Sequence, residues 1–67
     1  MTDDKMVRMA NQIAAFFETQ PEAEKAAKVA GHLNDFWPPS MRMQLKAYVE
    51  RGGEGLNALV HKSAAFL

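Results

Sequence analysis

His32 and His61 are the side chains of this sequence best suited to acid–base chemistry or metal binding. They lie far apart in the chain, and no metal-binding spacing such as HExxH contains either of them. There is no cysteine, and no serine stands in a nucleophile-elbow motif. Histidines in such a setting are more often partly exposed surface residues. The sequence therefore predicts no catalytic residue and no metal ligand in this chain.

The glycine-rich segment GGEG, residues 52–55, is superficially similar to a phosphate-binding loop. A phosphate loop needs a strand before it and a Lys-Ser or Lys-Thr pair after it, and the sequence offers neither at the required spacing. Consecutive glycines favour instead the left-handed conformation that ends a helix. We therefore expect a helix stop here, followed by the start of a new helix.

Length and composition limit the chain to one small domain with no net charge. Its 67 residues include eight basic and eight acidic side chains, so the net charge is zero. This length leaves no room for a separate cofactor or substrate domain, and the charge balance gives no nucleic-acid signal. No apolar run reaches the length of a signal sequence or a membrane span, so a cytoplasmic protein is expected. Without disulfides, stability must come from helix packing, self-association or a partner.

Helix-forming residues are abundant and strand-like alternation is absent, so an all-α fold is predicted. Pro21 suits a first helical position, and Pro38 should end the second helix at Trp37 because a residue before proline avoids the helical conformation. The expected architecture is one domain, residues 1–67, built as a small bundle of three to four short helices. The predicted helices cover residues 3–19, 21–37, 39–51 and 54–65.

The first two helices carry similar apolar stripes, each ending in two adjacent aromatic residues, which predicts two antiparallel helices that bury matching faces. The remaining two helices carry shorter stripes. The predicted core positions are Met6, Met9, Ala10, Ile13, Phe16 and Phe17 in the first helix, Ala26, Val29, Ala30, Leu33, Phe36 and Trp37 in the second, Met41, Leu45, Tyr48 and Val49 in the third, and Leu56, Leu59, Val60 and Ala64 in the fourth.

Trp37, in the stretch NDFWPPSMRMQL, allows two interpretations. At the end of an apolar stripe its ring would close one end of the bundle, with the indole N–H bonded to a carbonyl. Alternatively, so small a core cannot enclose all the aromatic residues that end the two stripes. Some aromatic surface, rimmed by Asp35 and Arg42, would then remain for a partner. The residues alone leave both interpretations open.

Met43 is the methionine that stands out from the predicted core faces. Two residues beyond Met41, it lies about 200° around the helix and so nearly opposite the apolar stripe. Methionine is over-used on adaptable binding surfaces. An exposed methionine next to Arg42 is therefore a candidate protein contact.

Three stretches together resemble a known family: RMANQIAAFF at residues 8–17, HLNDFWPPSMRMQL at 32–45 and GGEGLNALV at 52–60. They are similar to the delta subunit of the soluble, molybdenum-dependent, NAD-linked formate dehydrogenases of bacteria. The most specific part is Trp37 followed, after a proline-containing spacer, by Met41, Arg42 and Leu45. The MANQIA run is the second most specific.

The resemblance implies a multi-subunit enzyme that oxidises formate to carbon dioxide and passes the electrons to NAD. Its molybdenum cofactor, iron–sulfur clusters and FMN belong to other subunits, and a chain without cysteine cannot ligate an ordinary iron–sulfur cluster. The small subunit is then a non-catalytic accessory chain without its own cofactor. It would support assembly, cofactor retention or stability of the large molybdenum-containing subunit, its expected partner.

The resemblance favours a mixed role for the segment around Trp37. In this hypothesis Phe36 and Trp37 anchor the second helix to the core, while neighbouring side chains face the large subunit. The predicted partner interface comprises Phe36, Trp37, Pro38, Met41, Arg42 and Met43.

The residues also permit another class of protein, a small regulator that binds nucleic acid through a helix-turn-helix. Arg42 and Lys46 would lie one turn apart on the third helix, with Arg51 near its end, as on a recognition helix. The zero net charge and the proline-rich connection argue against it. No nucleic-acid or membrane partner is expected, and this regulator stays as the alternative.

Overall fold

Helices form most of the protein in its computed structural model, which describes the backbone of residues 1–67 and the side chains of residues 1–21 and 24–67. The described backbone contains no strand, which confirms the prediction of a small all-α bundle. Its elements are α1 (Asp3–Phe17), α2 (Glu22–Phe36), α3 (Pro39–Glu50), α4 (Ala58–Ser63) and a final 3-10 turn (Ala64–Phe66).

The ends of the first three helices follow from local chemistry. Thr2 caps α1, because its hydroxyl oxygen accepts a hydrogen bond from the amide of Lys5 at 3.2 Å. Helix α2 ends at Phe36, since the next residue precedes a proline and is extended. Pro39 occupies the first turn of α3, where a missing N–H costs nothing. No helix in this described backbone has the length and apolar character needed to cross a bilayer.

The fourth helix is shorter than predicted, because it begins at Ala58 rather than at residue 54. Gly53 (φ 61°) and Gly55 (φ 84°) adopt left-handed conformations, which a right-handed helix does not contain. Asn57 then caps α4, its side-chain oxygen accepting from the amide of Leu59 at 2.8 Å. The sequence predicts that the third helix stops at the glycines and that the fourth helix starts directly after them. In the structure, residues 51–57 form a short loop between α3 and α4.

Asn11 holds this loop against α1. Its side-chain N–H donates to the carbonyl of Gly55 at 3.0 Å, and its oxygen accepts from the amide of Asn57 at 2.8 Å. Elsewhere in the loop, the Tyr48 hydroxyl donates to the carbonyl of Glu54 at 2.6 Å. The MANQIA and GGEGLNALV motifs are thus distant in sequence and bonded in space.

The core lies where all four helices converge. Its fully or nearly fully buried apolar residues are Met6, Ala10, Ala14, Val29, Ala30, Leu33, Trp37, Leu45, Leu59 and Val60. Around them pack partly buried residues from the first three helices, the glycine loop and the last position of the chain: Met9, Ile13, Phe17, Ala26, Met41, Tyr48, Val49, Leu56 and Leu67. Most predicted core positions therefore face the core as expected.

Two predicted core residues are instead exposed: Phe16 (73% exposed) and Phe36 (72%). Adjacent residues on a helix lie about 100° apart, so an aromatic pair at the end of a stripe cannot point both rings the same way. Helix α1 buries Met6, Ala10 and Ala14, a spacing of four residues that turns Phe16 outward. The prediction that Phe36 anchors α2 to the core is therefore wrong, and Trp37 provides that anchor.

Candidate partner-binding surface

Trp37 closes one end of the core at the junction of α2 and α3. Only 6% of the residue is exposed. Its amide donates to the carbonyl of Leu33 at 2.9 Å, which completes the last turn of α2. Its extended backbone (φ −86°, ψ 134°) then leads into Pro38. The ring of Trp37 is therefore buried at one end of the core, as the first interpretation expects, while Phe16 and Phe36 leave aromatic surface exposed, as the second expects.

Arg42 ties the same junction together from α3. Its guanidinium group donates one hydrogen bond to the carbonyl of Trp37 and another, at 3.2 Å, to the carbonyl of Asn34. The last carbonyls of a helix have no partner within the helix, so a cation placed there both bonds them and complements the helix dipole. Arg42 is half-buried in this position. Its side chain links the last turn of α2 to the first turn of α3.

The other predicted interface residues differ in exposure. Met41 is partly buried against the core, whereas Pro38 is exposed and Met43 is 70% exposed. The prediction that Met43 lies off the core face is confirmed. At this junction, Pro38 and Met43 are therefore free to touch another molecule, while Trp37 and Arg42 hold the fold.

A second apolar surface lies between α1 and α2, formed by the rings of Phe16, Phe17, His32 and Phe36, which we call the aromatic patch. Phe16 and Phe17 meet edge to face with ring centroids 5.1 Å apart. His32 lies 6.2 Å from the Phe17 ring and 4.7 Å from the Phe36 ring, again between centroids. The four rings form one continuous series, and two of them are largely exposed.

An open cavity of about 300 Å³ lies in the patch. Its lining is almost entirely apolar and consists of Gln12, Ile13, Phe16, Phe17 and His32. No Lys, Arg, Asp or Glu belongs to this lining among the described side chains. Sites of this kind bind apolar groups, with the few polar atoms fixing orientation.

The patch occupies one flank of α2, and the side chain of Asn34 lies on the other. Phe36 and Asn34 are two residues apart, which separates their directions by about 160° around the helix. The side-chain N–H of Asn34 donates to the carbonyl of Phe66 at 3.3 Å. Phe66 itself is 59% exposed there. The exposed apolar residues therefore do not form a single face.

Sequence reasoning left open which ring of each aromatic pair would stay exposed, so it did not single out Phe16, and it missed His32 beside these rings. The signal for His32 was present, since His32 and Phe36 are four residues apart and such pairs meet on a helix surface. The signal for Phe16 was its mismatch with the four-residue spacing of Met6, Ala10 and Ala14. Both signals depend on knowing which face is buried, which the stripes alone left undecided.

The histidines have different surroundings. His32 lies among aromatic rings, while a ring nitrogen of His61 is 3.2 Å from the carbonyl oxygen of Gly53. No group of three or more His, Cys, Asp or Glu side chains among those described is arranged to hold a metal ion. The geometry thus assembles an apolar binding surface and a braced helix junction.

Comparison with known proteins identifies the family of this chain. The sequence profile of the family described as NADH-dependent formate dehydrogenase delta subunit, FdsD, matches residues 5–64 of the 67-residue chain. The chain belongs to this family. Comparisons with curated proteins and with solved structures gave no significant match. The resemblance seen in the sequence is confirmed, and a delta subunit of a formate dehydrogenase complex is what the family implies.

The aromatic patch does not suit the cofactors expected of such a complex. Iron–sulfur clusters are held by cysteine thiolates, and the chain has no cysteine. The cavity in the aromatic patch is lined by apolar side chains and offers only Gln12 and His32 as polar side chains. Neither a cluster nor the many phosphate oxygens of a nucleotide-bearing cofactor would find matching donors there.

Proposed function

We propose that this delta subunit is a non-catalytic accessory chain that binds the large molybdenum-containing subunit of a cytoplasmic NAD-dependent formate dehydrogenase. It supports assembly of that subunit, retention of its cofactor or its stability. The molybdenum cofactor, the iron–sulfur clusters and FMN reside on other subunits. The observation that carries this proposal is the family match over residues 5–64.

The chemistry of the chain supports an accessory rather than a catalytic role. Catalysis needs a nucleophile or base with an orienting partner beside a site for substrate. His61 contacts a backbone carbonyl, and His32 packs between phenyl rings. What the described side chains offer instead is exposed apolar area, which on a small protein is typical of a contact with another protein.

The predicted interface divides into two groups in this proposal. Phe36, Pro38 and Met43 are exposed and would touch the large subunit directly. Trp37, Met41 and Arg42 lie behind them, where they pack against the core or bond backbone carbonyls. These three residues would position the contact surface from inside the molecule.

The nucleic-acid alternative gains no support from the geometry of its proposed recognition helix. The Arg42 guanidinium is bonded to carbonyls of α2. Arg51 lies 3.4 Å from a carboxylate oxygen of Asp3 and stacks over the Tyr48 ring, 5.5 Å from its centroid. Cations already engaged within the fold are poorly placed to neutralise phosphates.

The proposal is tested by expressing the tagged chain in its native host, purifying it at moderate salt and identifying the chains that co-elute. We expect the large molybdenum- and flavin-containing subunits, together with formate-dependent reduction of NAD in the eluate. Elution of the small chain alone, from an extract in which the dehydrogenase is active, would contradict the proposal.

The accessory role itself is tested by removing the chain from the complex. We expect the complex made without it to contain less molybdenum per large subunit, or to lose activity faster on warming. Loss of molybdenum points to cofactor retention, and faster inactivation at full molybdenum content points to stabilisation. A complex unchanged in yield, molybdenum content and half-life would argue against any accessory role.

A further inference from the structure

The aromatic patch has the chemistry of a binding site, and its surroundings restrict what can occupy it. Among the described side chains, no Lys, Arg, Asp or Glu lines the cavity. Two cations, Arg8 and Lys28, lie one turn before lining residues of the cavity, and the carboxylate Asp35 lies next to Phe36. Lys28 is paired with Glu24 at 3.5 Å, so cations and carboxylates balance around the patch. The patch therefore matches a neutral apolar surface.

This charge pattern disfavours two classes of partner. Nucleic acids are bound largely through cations that neutralise phosphates, and two cations near the patch, one of them already paired with Glu24, supply little of this. An interfacial membrane helix likewise needs several basic residues around its apolar face. A protein surface with a large apolar side chain has neither requirement.

The exposed area of the patch favours a larger protein over a second copy of this chain as the partner. A stable interface takes about 800 Å² from each partner, whereas the whole chain exposes 4159 Å². Phe16 and Phe36 are exposed by 73% and 72%, and at roughly 150–250 Å² per aromatic side chain they offer roughly 220–360 Å² together. A second copy joined through this patch alone would bury too little. A larger partner can continue past Phe36 to the exposed Pro38, which follows two residues later in the chain.

We propose that the aromatic patch anchors the delta subunit to the large subunit by receiving one uncharged aliphatic or aromatic side chain of that subunit in its cavity. Ile13, Phe16, Phe17 and His32 line the cavity, and Phe36 packs against the outer side chain of this lining, the His32 ring. This inference rests on the proposed function and moves the centre of the contact from the Trp37 junction to the groove between α1 and α2. Buried aromatic anchors of this kind dominate binding energy in protein interfaces.

The test is competitive incorporation into the complex. Wild-type delta subunit and a variant of distinguishable mass are produced at equal levels together with the tagged large subunit, and their ratio in the purified complex is measured by mass spectrometry. The variant is Phe16→Gln with Phe36→Gln, because glutamine is a good helix former and both side chains are exposed. Phe66→Gln is the matched control, since Phe66 is exposed on another face.

We expect the double variant to be depleted by a factor of ten or more, and Phe66→Gln to be incorporated within about twofold of wild type. A double Phe→Leu variant at positions 16 and 36 should recover most of the loss, because it restores apolar bulk. Equal far-UV circular dichroism and equal cellular levels for all variants show that depletion is not loss of folding.

Contrary outcomes are distinct. If wild-type chain is recovered with the complex and the double glutamine variant is incorporated equally well, the patch is not the anchor, although the proposed function stands. If wild-type chain is absent from the complex, the proposed function fails and this inference with it. If light scattering shows a dimer of the wild-type chain that the double variant disperses while incorporation is unaffected, the patch serves self-association instead.

Discussion

Phe36 and Trp37 are adjacent in the chain but belong to two different surfaces. Trp37 is 6% exposed and closes the core, whereas Phe36 is 72% exposed and belongs to the aromatic patch. The junction around Trp37 is braced by hydrogen bonds from Arg42, while the rings of the patch contact one another and, through Phe17, the core. This difference indicates a division of labour in which the junction provides stability and the patch provides binding.

The largest expected effect tests the stability half of this comparison. Trp37→Ala removes the ring that closes the core, which should cost about 3–5 kcal/mol of the free energy of unfolding. A 67-residue chain has roughly 3–10 kcal/mol in total, so most of the helical signal should disappear at 25 °C. Far-UV circular dichroism and urea unfolding measure this. A cooperative transition with a midpoint near that of wild type would contradict the core role of Trp37.

The glycine loop extends the comparison to a second braced connection. Asn11→Ala removes both hydrogen bonds from α1 to the loop and leaves the Asn57 amide without its partner. We expect a loss of about 1–3 kcal/mol in urea unfolding. Asn11→Asp, which keeps the acceptor oxygen, should lose less. Gln12→Ala, an exposed neighbour, serves as control and should stay within about 0.5 kcal/mol of wild type.

The two braced connections differ in how far the sequence alone could predict them. Pro38 and Pro39 act on the backbone next to them, so the junction of α2 and α3 could be located from sequence. The Asn11 contacts join residues 44 and 46 positions apart, and no local pattern encodes such a pairing. Likewise, an aromatic pair predicts that a ring is buried but not which one, because that depends on the neighbouring helices.

Arg42 tests whether the junction stabilises the fold or binds the partner. The sequence predicted it as a partner contact, whereas in the structure it bonds backbone carbonyls of the junction. Arg42→Met keeps the apolar stem and removes the donors to the Trp37 and Asn34 carbonyls. We expect a loss of about 1–2 kcal/mol in urea unfolding, less than for fully buried bonds because the group is half-exposed. Lys46→Met, one turn further along α3, should change stability by about 0.5 kcal/mol or less.

Incorporation into the complex should fall with Arg42→Met only as far as stability does. Unchanged unfolding together with strongly reduced incorporation would instead make Arg42 a direct contact, as the sequence suggested. The division between junction and patch would then be wrong at this residue.

The smallest expected effect on stability belongs to the patch. Phe36→Gln removes a ring that is mostly in water, and the remaining contact with His32, 4.7 Å between centroids, joins two surface side chains. We expect the free energy of unfolding to change by about 0.5 kcal/mol or less, while incorporation into the complex falls severalfold. Urea unfolding of the purified chain and the competitive incorporation ratio measure the two quantities on one variant. A large loss of stability would mean that the ring series braces α1 against α2, and the patch could then no longer be separated from the core that Trp37 closes.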